Sequence, residues 1–413
     1  MKILNFGSCN IDYVYSLDHI VVPGETLTAS KMERFPGGKG LNQSVAAARA
    51  GGEVYHAGVI GADGDMLRQI LESSGADLRY LQTADCPNGH AIIQLSKSAQ
   101  NSIFLHVGTN GMVTCEFIDR VLEDFSAGDI LVLQNEISNV PYLIDRGFEK
   151  GLRILFNPAP FDDSLRKLPL HKLDHLILNE VEAKGFFGEE TPDLILARKQ
   201  QLYPRLKMVL TLGKEGCIYA DGERVIRCPA YQVEAVDTTA AGDTFAGYLA
   251  AGLAEGIEME QALRRASAAS ALTVSGMGAA PSIPVRDAVE KALKTLKPYP
   301  CESADRQNKL RKQILGYIQK DLANAELAEL AELLGYSQAY TGTLVKEITG
   351  RCFSDLLLKL RCEAAAEMLA HTEMPVAAVI QTVGYQNESF FRKKFQEQYG
   401  KSPLQYRKQN HGG

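Results

Sequence analysis

Along residues 1–297 the hydrophobic pattern switches repeatedly between two periods. Short, almost continuously apolar runs occur at Ile3–Phe6, Val54–Ile60, Ile130–Leu133, Ile154–Phe156, Leu176–Leu178 and Met208–Leu212. Such runs suit strands buried on both faces of a parallel sheet. Between them lie amphipathic stretches, including Leu41–Arg49, Met66–Ser73 and Val140–Lys150, spaced as helices. Alternation of this kind predicts a three-layer α/β domain. Tyr13–Arg34 and His90–Val107 instead alternate polar and apolar residues, which predicts a small antiparallel flap outside the main sheet. After Leu296 the texture changes. Residues 298–304 carry two prolines and no helical period, as a linker would. From 305 to 413 only helical periodicity remains, enough for about seven short helices.

Charge supports reading the two parts separately. The whole chain of 413 residues carries a formal charge of −6, which by itself argues against a nucleic-acid partner. Residues 305–413 hold 15 Lys and Arg against 12 Asp and Glu, a net of +3, whereas residues 1–304 hold 29 against 38, a net of −9. The eight cysteines are scattered without a CxxC pair, a pattern expected of reduced thiols. The start of the chain lacks a signal-peptide core, and no apolar run reaches the ~18 residues of a membrane span. A cytoplasmic protein with no membrane partner is expected.

Three motifs carry candidate chemistry. In Asp237-Thr238-Thr239-Ala240-Ala241-Gly242-Asp243, small residues precede a helical run from Thr244. Backbone amides at such a helix start attract negative charge, and a carboxylate at Asp243 beside them could take a proton from a hydroxyl. The plain alternative is that Asp243 caps the helix. In Gly37-Gly38-Lys39-Gly40-Leu41-Asn42 the glycines allow close backbone approach to a polar ligand, although a purely structural turn has the same look and the spacing is not that of a P-loop. In Asn179-Glu180-Val181-Glu182 acidic residues follow a buried strand, where they suit Mg²⁺ held through water or ordinary helix capping. Thr211 and Gly213, after another strand, form a fourth candidate turn.

Taken together, these motifs over essentially all of residues 1–297 resemble the ribokinase-like (PfkB) family of carbohydrate kinases, and within it the ribokinases. The resemblance implies an ATP-dependent kinase acting on the primary hydroxyl of a sugar, most simply ribose. It implies sugar contacts from Asn10, Asp12, Gly38, Lys39, Asn42 and Glu136, with Asp243 as catalytic base. The amides of Ala241, Gly242 and Asp243 would stabilise the transferring phosphoryl group. Asn179, Thr211 and Gly213 would contact the nucleotide, and Glu182 would hold Mg²⁺ through water. Asp237, Thr239, Gly278 and Ser282 match the surroundings of an activating monovalent cation, usually K⁺. Flap residues around Ile92, Gln94 and Ile103 would close over the sugar, and the flap would pair two subunits into a homodimer.

The C-terminal part has its own signature. Two Gly-Tyr turns, Gly335-Tyr336 and Gly384-Tyr385, each end one short helix and precede another, as in helix-turn-helix units. A generic helical bundle is the alternative on spacing alone. Arg361, Ala364, Leu369, Thr372, Gly384-Tyr385, Ser389-Phe390-Phe391, Phe395, Gly400-Lys401-Ser402-Pro403 and Tyr406-Arg407 resemble the AraC/XylS family of transcription regulators. That resemblance implies two recognition helices, beginning near Ser337 and Asn387, in successive major grooves of an operator. Gln338, Tyr340, Thr343, Asn387, Glu388 and Arg392 would face bases, while Lys346, Lys393, Lys394 and Lys401 would contact phosphates. Thr341 and Val345 stand where larger apolar residues are usual in that family. The fusion implies a sugar kinase that also regulates transcription. A sugar sensor without turnover, a kinase for another sugar or nucleoside, and a kinase with a vestigial tail are the alternatives.

Overall fold

The computed structural model describes residues 1–98, 100–189, 191–299 and 302–410. It divides into two compact units, Met1–Cys301 and Glu302–Gly413. The first is built on a nine-stranded sheet. Seven strands run parallel, in the order β5 (Asp77–Ala84), β4 (Val54–Gly61), β1 (Ile3–Phe6), β8 (Ile130–Gln134), β9 (Arg153–Asn157), β10 (His175–Asn179) and β11 (Lys207–Thr211). β12 (Cys217–Ala220) and β13 (Val225–Cys228) extend the β11 edge antiparallel. All six apolar runs are parallel strands.

Their alternate residues feed two cores. Ile3, Val54, Ile130, Val132, Leu155, Ile177 and Val209 pack on one face, against helices α1 (Lys39–Arg49), α2 (Asp65–Ser74), α7 (Ala241–Glu255) and α8 (Met259–Val274). Leu4, Phe6, Leu131, Leu133, Ile154, Phe156, Leu176, Leu178, Met208 and Leu210 pack on the other, against α3 (Cys115–Leu122), α4 (Val140–Glu149), α5 (Glu180–Phe187) and α6 (Pro192–Leu202). Two shorter helices, α9 (Ala279–Ser282) and α10 (Arg286–Ala292), complete this unit. The period of two along each strand therefore produces the three layers.

The flap is a four-stranded sheet in the order β3 (Lys31–Gly37), β2 (Asn10–Leu17), β6 (Gly89–Ser96), β7 (Asn101–His106). It is mixed rather than antiparallel, because β2 and β6 pair parallel. The cause is topological: β2 continues from β1 and β6 from β5, and those two strands already run in the same direction. Register also corrects one flap expectation. Asp12 pairs with Ala91, and Ile93 with Ile103, so Ile103 shares a face with Asp12 while Ile92 and Gln94 belong to the other. Gln94 Oε1 accepts from Val21 N at 3.0 Å.

The expected linker of 298–304 is shorter in the structure. Tyr299 N donates to Ala230 O at 2.8 Å and Gln232 Nε2 donates to Pro298 O at 2.9 Å, so this stretch docks as an edge on the first unit. Pro298 tolerates that position because the backbone pairing runs through Lys297 O, which accepts from Gln232 N, and through Tyr299 N, so the N–H that proline lacks is not needed. Helix α11 (Glu302–Lys320) begins where coil was expected, and Pro300 and Cys301 lie outside the described residues.

The second unit contains, among the described residues, α11, α12 (Leu327–Leu334), α13 (Gln338–Thr349), α14 (Phe353–His371), α15 (Val376–Thr382), α16 (Glu388–Tyr399) and α17 (Pro403–Asn410). Two small cores divide it. Ile314, Ile318, Leu330, Val345 and Leu356 form the first, and Leu369, Val379, Ile380, Phe391 and Phe395 the second. α14 contributes to both. Thr341 is fully buried in the first helix-turn-helix, and its hydroxyl donates to Ser337 O at 3.0 Å, which accounts for a polar residue at a core position.

Candidate functional site

Strand β13 leads through an irregular stretch into α7, and the entry is tight. Ala240 sits at φ 61°, in the left-handed region that favours glycine, and turns the chain into the helix. The first-turn amides of such a helix lack intrahelical acceptors. A side chain added at Gly242 would meet nothing, so the backbone there borders open space. Asp243 stands in the first turn without capping it. Its carboxylate is buried and held by two amides from α1: Asn42 Nδ2 donates to Oδ2 at 3.0 Å and Gln43 Nε2 to Oδ1 at 3.1 Å. The plain capping reading of Asp243 therefore falls.

The same helix α1 begins in the glycine turn. Gly38 has φ 94°, and a Cβ on Gly40 would lie 2.2 Å from Gly7 Cα, so both positions require glycine. This close approach of the turn to the end of β1 brings Lys39 against the carboxylates. Lys39 N donates to Glu136 Oε2 at 3.0 Å, and Ser8 Oγ donates to the same oxygen. The charges of Asp243, Glu136, Glu182 and Asp12 together raise the Lys39 pKa against its burial, Asp243 most strongly. Burial raises Glu136 and Glu182. Asn10 Oδ1 accepts from Asn110 Nδ2 at 2.7 Å, which leaves the Asn10 amide nitrogen for other acceptors. Asn42 Oδ1 is buried with no hydrogen-bond partner among the described residues.

A cleft of about 220 Å³ adjoins these groups. Lys39, Asn179, Glu182, Thr211, Ala241, Gly242 and Asp243 line it, together with Asn157 and Thr238. At its far wall Asn179 and Glu182 form a reciprocal capping box: Asn179 Oδ1 accepts from Glu182 N at 2.9 Å, and the Glu182 carboxylate accepts from Asn179 N and Nδ2 at 2.9 and 3.0 Å. Capping and cleft lining are thus combined in the same two residues. Gly213 does not line the cleft; it opens the turn after β11, with φ 54°. On the other side of the α7 entry, Asp237 Oδ1 accepts from Thr239 N and Oγ1 at 2.9 and 2.6 Å, and its Oδ2 accepts from Gly278 N at 3.1 Å. Ser282 Oγ donates to Ala279 O at 2.9 Å, next to Gly278 in sequence.

In the second unit each helix-turn-helix has a side-chain cap at its second helix. Ser337 Oγ accepts from Tyr340 N at 3.3 Å and starts α13; Asn387 Oδ1 accepts from Phe390 N at 3.0 Å and starts α16. Gln338, Thr343 and Lys346 are exposed along α13, and Tyr340 is half-buried against Tyr336. On α16 Lys393 is exposed, while Arg392 forms an i,i+4 ion pair with Glu388 at 2.9 Å. The Asn387 oxygen is engaged by the cap, and its amide nitrogen is not part of it. Arg361 on α14 donates to Leu322 O and Ala323 O at 2.7 and 2.8 Å and stacks on Tyr385, tying the two units of this domain together.

A family model for pfkB family carbohydrate kinases matches residues 1–286, more than two-thirds of the chain. The chain belongs to the PfkB family. The ribokinase of Bacillus subtilis is 36% identical over 70% of this chain and 97% of its own length. The deoxyribokinase of Salmonella typhi is 32% identical over 69% of this chain and 96% of its own length. The structure of Arabidopsis thaliana ribokinase complexed with ribose and ATP aligns with a TM-score of 0.62 at 29% identity, covering 71% of this chain and 98% of that one. A helix-turn-helix domain model matches residues 330–409, and the C-terminal unit is of the AraC type. The protein is therefore a ribokinase-like carbohydrate kinase joined to an AraC-type domain. Among the described residues, no helix is long and apolar enough to cross a membrane.

Several groups of this PfkB kinase escape sequence reasoning. Gln43, Ser8 and Asn110 bond the expected site residues Asp243, Glu136 and Asn10, and Asn157 bonds Gln43 in turn, but none of the four stands out in the sequence as a site residue. The one available signal was a polar residue inside an otherwise apolar run, as at Asn5 in β1.

Asp12 yields a prediction on pH. Burial, reinforced by the carboxylates of Glu136 and Asp243, pushes its pKa from 3.8 up to about 7, with Lys39 opposing. A raised carboxyl favours the fold at low pH, and that contribution is lost as pH rises from 3.8 through about 7. Without sugar, Asp12→Asn should melt above wild type at pH 8. The gap should narrow as pH falls and close near the ordinary Asp pKa of 3.8. Thermal melts across that range check it, and a gap independent of pH would count against the ionised, crowded Asp12.

Proposed function

We propose that the protein transfers the γ-phosphoryl group of ATP to the primary hydroxyl of ribose, giving ribose 5-phosphate, and that it binds an operator as a transcription regulator. The observation that carries the kinase half is the placement of Asp243. A buried carboxylate, oriented by two amides, stands in the first turn of α7 beside the open backbone at Gly242 and faces the cleft. Asp243 accepts the hydroxyl proton as the oxygen attacks phosphorus, and the first-turn amides of Ala241, Gly242 and Asp243 bear the charge that develops on the phosphoryl oxygens. Asn10, Asp12, Gly38, Lys39, Asn42 and Glu136 orient the sugar, and the unsatisfied Asn42 Oδ1 supports a donor there, as a sugar hydroxyl is.

Asn179, Thr211 and Gly213 take the nucleotide side. Glu182 suits Mg²⁺ held through water: each of its oxygens accepts one hydrogen bond from Asn179 and keeps a lone pair for a metal-bound water. The ion would neutralise phosphate charge. The Asp237–Thr239 loop and Gly278 are joined by the Asp237 carboxylate and suit K⁺ through backbone oxygens, with Ser282 at the margin. Pairing through the flap would make a homodimer and present two DNA-binding domains to paired operator sites in the cytoplasm. ADP release should be fastest with ribose in a panel with deoxyribose, fructose phosphates and nucleosides. A nucleoside or deoxyribose preference would overturn the substrate assignment alone.

The DNA half rests on the capped second helices α13 and α16 and their exposed polar residues. Gln338, Tyr340, Thr343, Asn387, Glu388 and Arg392 face base edges, and Lys346 and Lys393 face phosphates. Lys393→Ala should weaken binding to every sequence alike and lower the slope of log affinity against log salt by about 0.9. A changed sequence preference with the same slope would move Lys393 from phosphate to base. Sugar, ATP or product should shift affinity in gel shifts; constancy across all three removes regulatory coupling.

A further inference from the structure

Asp243 is met by two side-chain amides, and the second ends a buried chain that leads back to the glycine turn. Asn5 in β1, Gln43 in α1 and Gln134 at the end of β8 are each 1% exposed. Asn5 Nδ2 donates to Gly40 O and to Ser44 Oγ, both at 2.8 Å. Because a backbone carbonyl only accepts, Asn5 must turn its Oδ1 the other way, toward Gln134. Gln134 Nε2 donates to that oxygen at 3.0 Å and to Gln43 Oε1 at 2.8 Å. Gln43 is then left with its Nε2 facing Asp243 Oδ1 at 3.1 Å and Asn157 Oδ1 at 3.2 Å. Asn157 is oriented independently, since its Nδ2 donates to Ile177 O at 3.0 Å.

Acceptor-only groups stand at both ends of the chain, the Gly40 carbonyl and the Asp243 carboxylate. Each amide between them has one orientation that satisfies its neighbours. Reversal of any one amide would set oxygen against oxygen in the interior, where nothing else is available to pair.

We propose that Gln43 is a positioning residue for Asp243, and that Gln134, which does not bond Asp243, acts through it. The proposal rests on Asp243 being the base. Gln43 holds Oδ1 in place while Asn42 holds Oδ2, so the carboxylate keeps both its rotation and its acceptor character as the sugar hydroxyl arrives. The chain also ties the carboxylate to Gly40, next to Lys39, so catalytic group and sugar turn share one buried support.

The test uses the full-length chain with Gln43→Met, Gln134→Glu, Gln134→Met and Asp243→Asn. Gln43→Met should lower kcat about tenfold to a hundredfold and leave both KM values within about twofold, because the lost donor matters to the reacting geometry and not to ground-state binding. The acid limb of its kcat–pH profile should move up by about one pH unit, as a carboxylate losing a donor requires. Gln134→Glu places an acceptor against Gln43 Oε1 and forces that amide to turn its oxygen on Asp243, so it should reproduce the Gln43→Met profile. Gln134→Met should show the same change more weakly, and it decides the matter if melting shows that the Glu variant does not fold. A folded Gln43→Met enzyme with the wild-type pH profile, or a loss carried by KM, overturns the positioning role. If Asp243→Asn itself retains turnover, the base assignment fails instead.

Discussion

Asp243→Asn should abolish sugar phosphorylation, with kcat reduced at least about a thousandfold, while ATP and sugar still bind. The substitution is nearly isosteric and buried, so its effect is chemical and local. Asn42 Nδ2 and Gln43 Nε2 now donate to the two carboxylate oxygens. An Asn can offer only one oxygen to them, and it has no lone pair basic enough to take the hydroxyl proton. ADP release with saturating sugar reads the loss, and calorimetric titration of nucleotide and sugar reads the retained binding. DNA binding in gel shifts should be unchanged, because the residue lies in the first unit and the helix-turn-helix pair in the second. Turnover within tenfold of wild type would remove Asp243 from the role of base.

Phe395→Ala should unfold the second helix-turn-helix and leave the kinase working. Phe395 is fully buried and packs on Phe391, Tyr399 and Tyr406, with ring centroids 5.8, 4.7 and 5.5 Å away. Removing such a ring costs about 3–5 kcal/mol. That is a large share of the stability of a core this small, which among the described residues is made of nine buried residues and their half-buried neighbours. The kinase cores share none of these residues. Calorimetry should therefore show one transition lost or moved far down and another unchanged, with kcat/KM for the sugar preserved. Parallel loss of kinase activity would show that the two units fold as one.

The parallel strands were legible because a strand buried on both faces leaves a continuous apolar run, as Ile130–Leu133 does. Strand β5, an edge with Asp77, Arg79 and Gln82 along it, leaves no such run, and β12 and β13 are four residues each. Alternation marked the flap strands but carried no information about partners, so the parallel pairing of β2 with β6 became visible only in three dimensions. The site divides in the same way. Asp243, Lys39 and Glu182 stand in local motifs whose geometry is set within a few residues. Gln43 adjoins the glycine motif in sequence, but its partner Asp243 lies 200 positions away, so nothing local assigns its side chain a role. At Asn179 and Glu182 the structure shows the capping box, and the same two residues line the cleft at the end of β10.

Phosphorus NMR of the product formed from ATP and ribose, run on wild type and Asp243→Asn side by side, reads both the transfer and the role of Asp243. One new phosphomonoester resonance, coupled to the methylene protons of the sugar's primary carbon, should appear with the wild-type enzyme and none with the variant. Phosphate released without a sugar ester, or an ester formed equally well by the variant, would contradict that expectation.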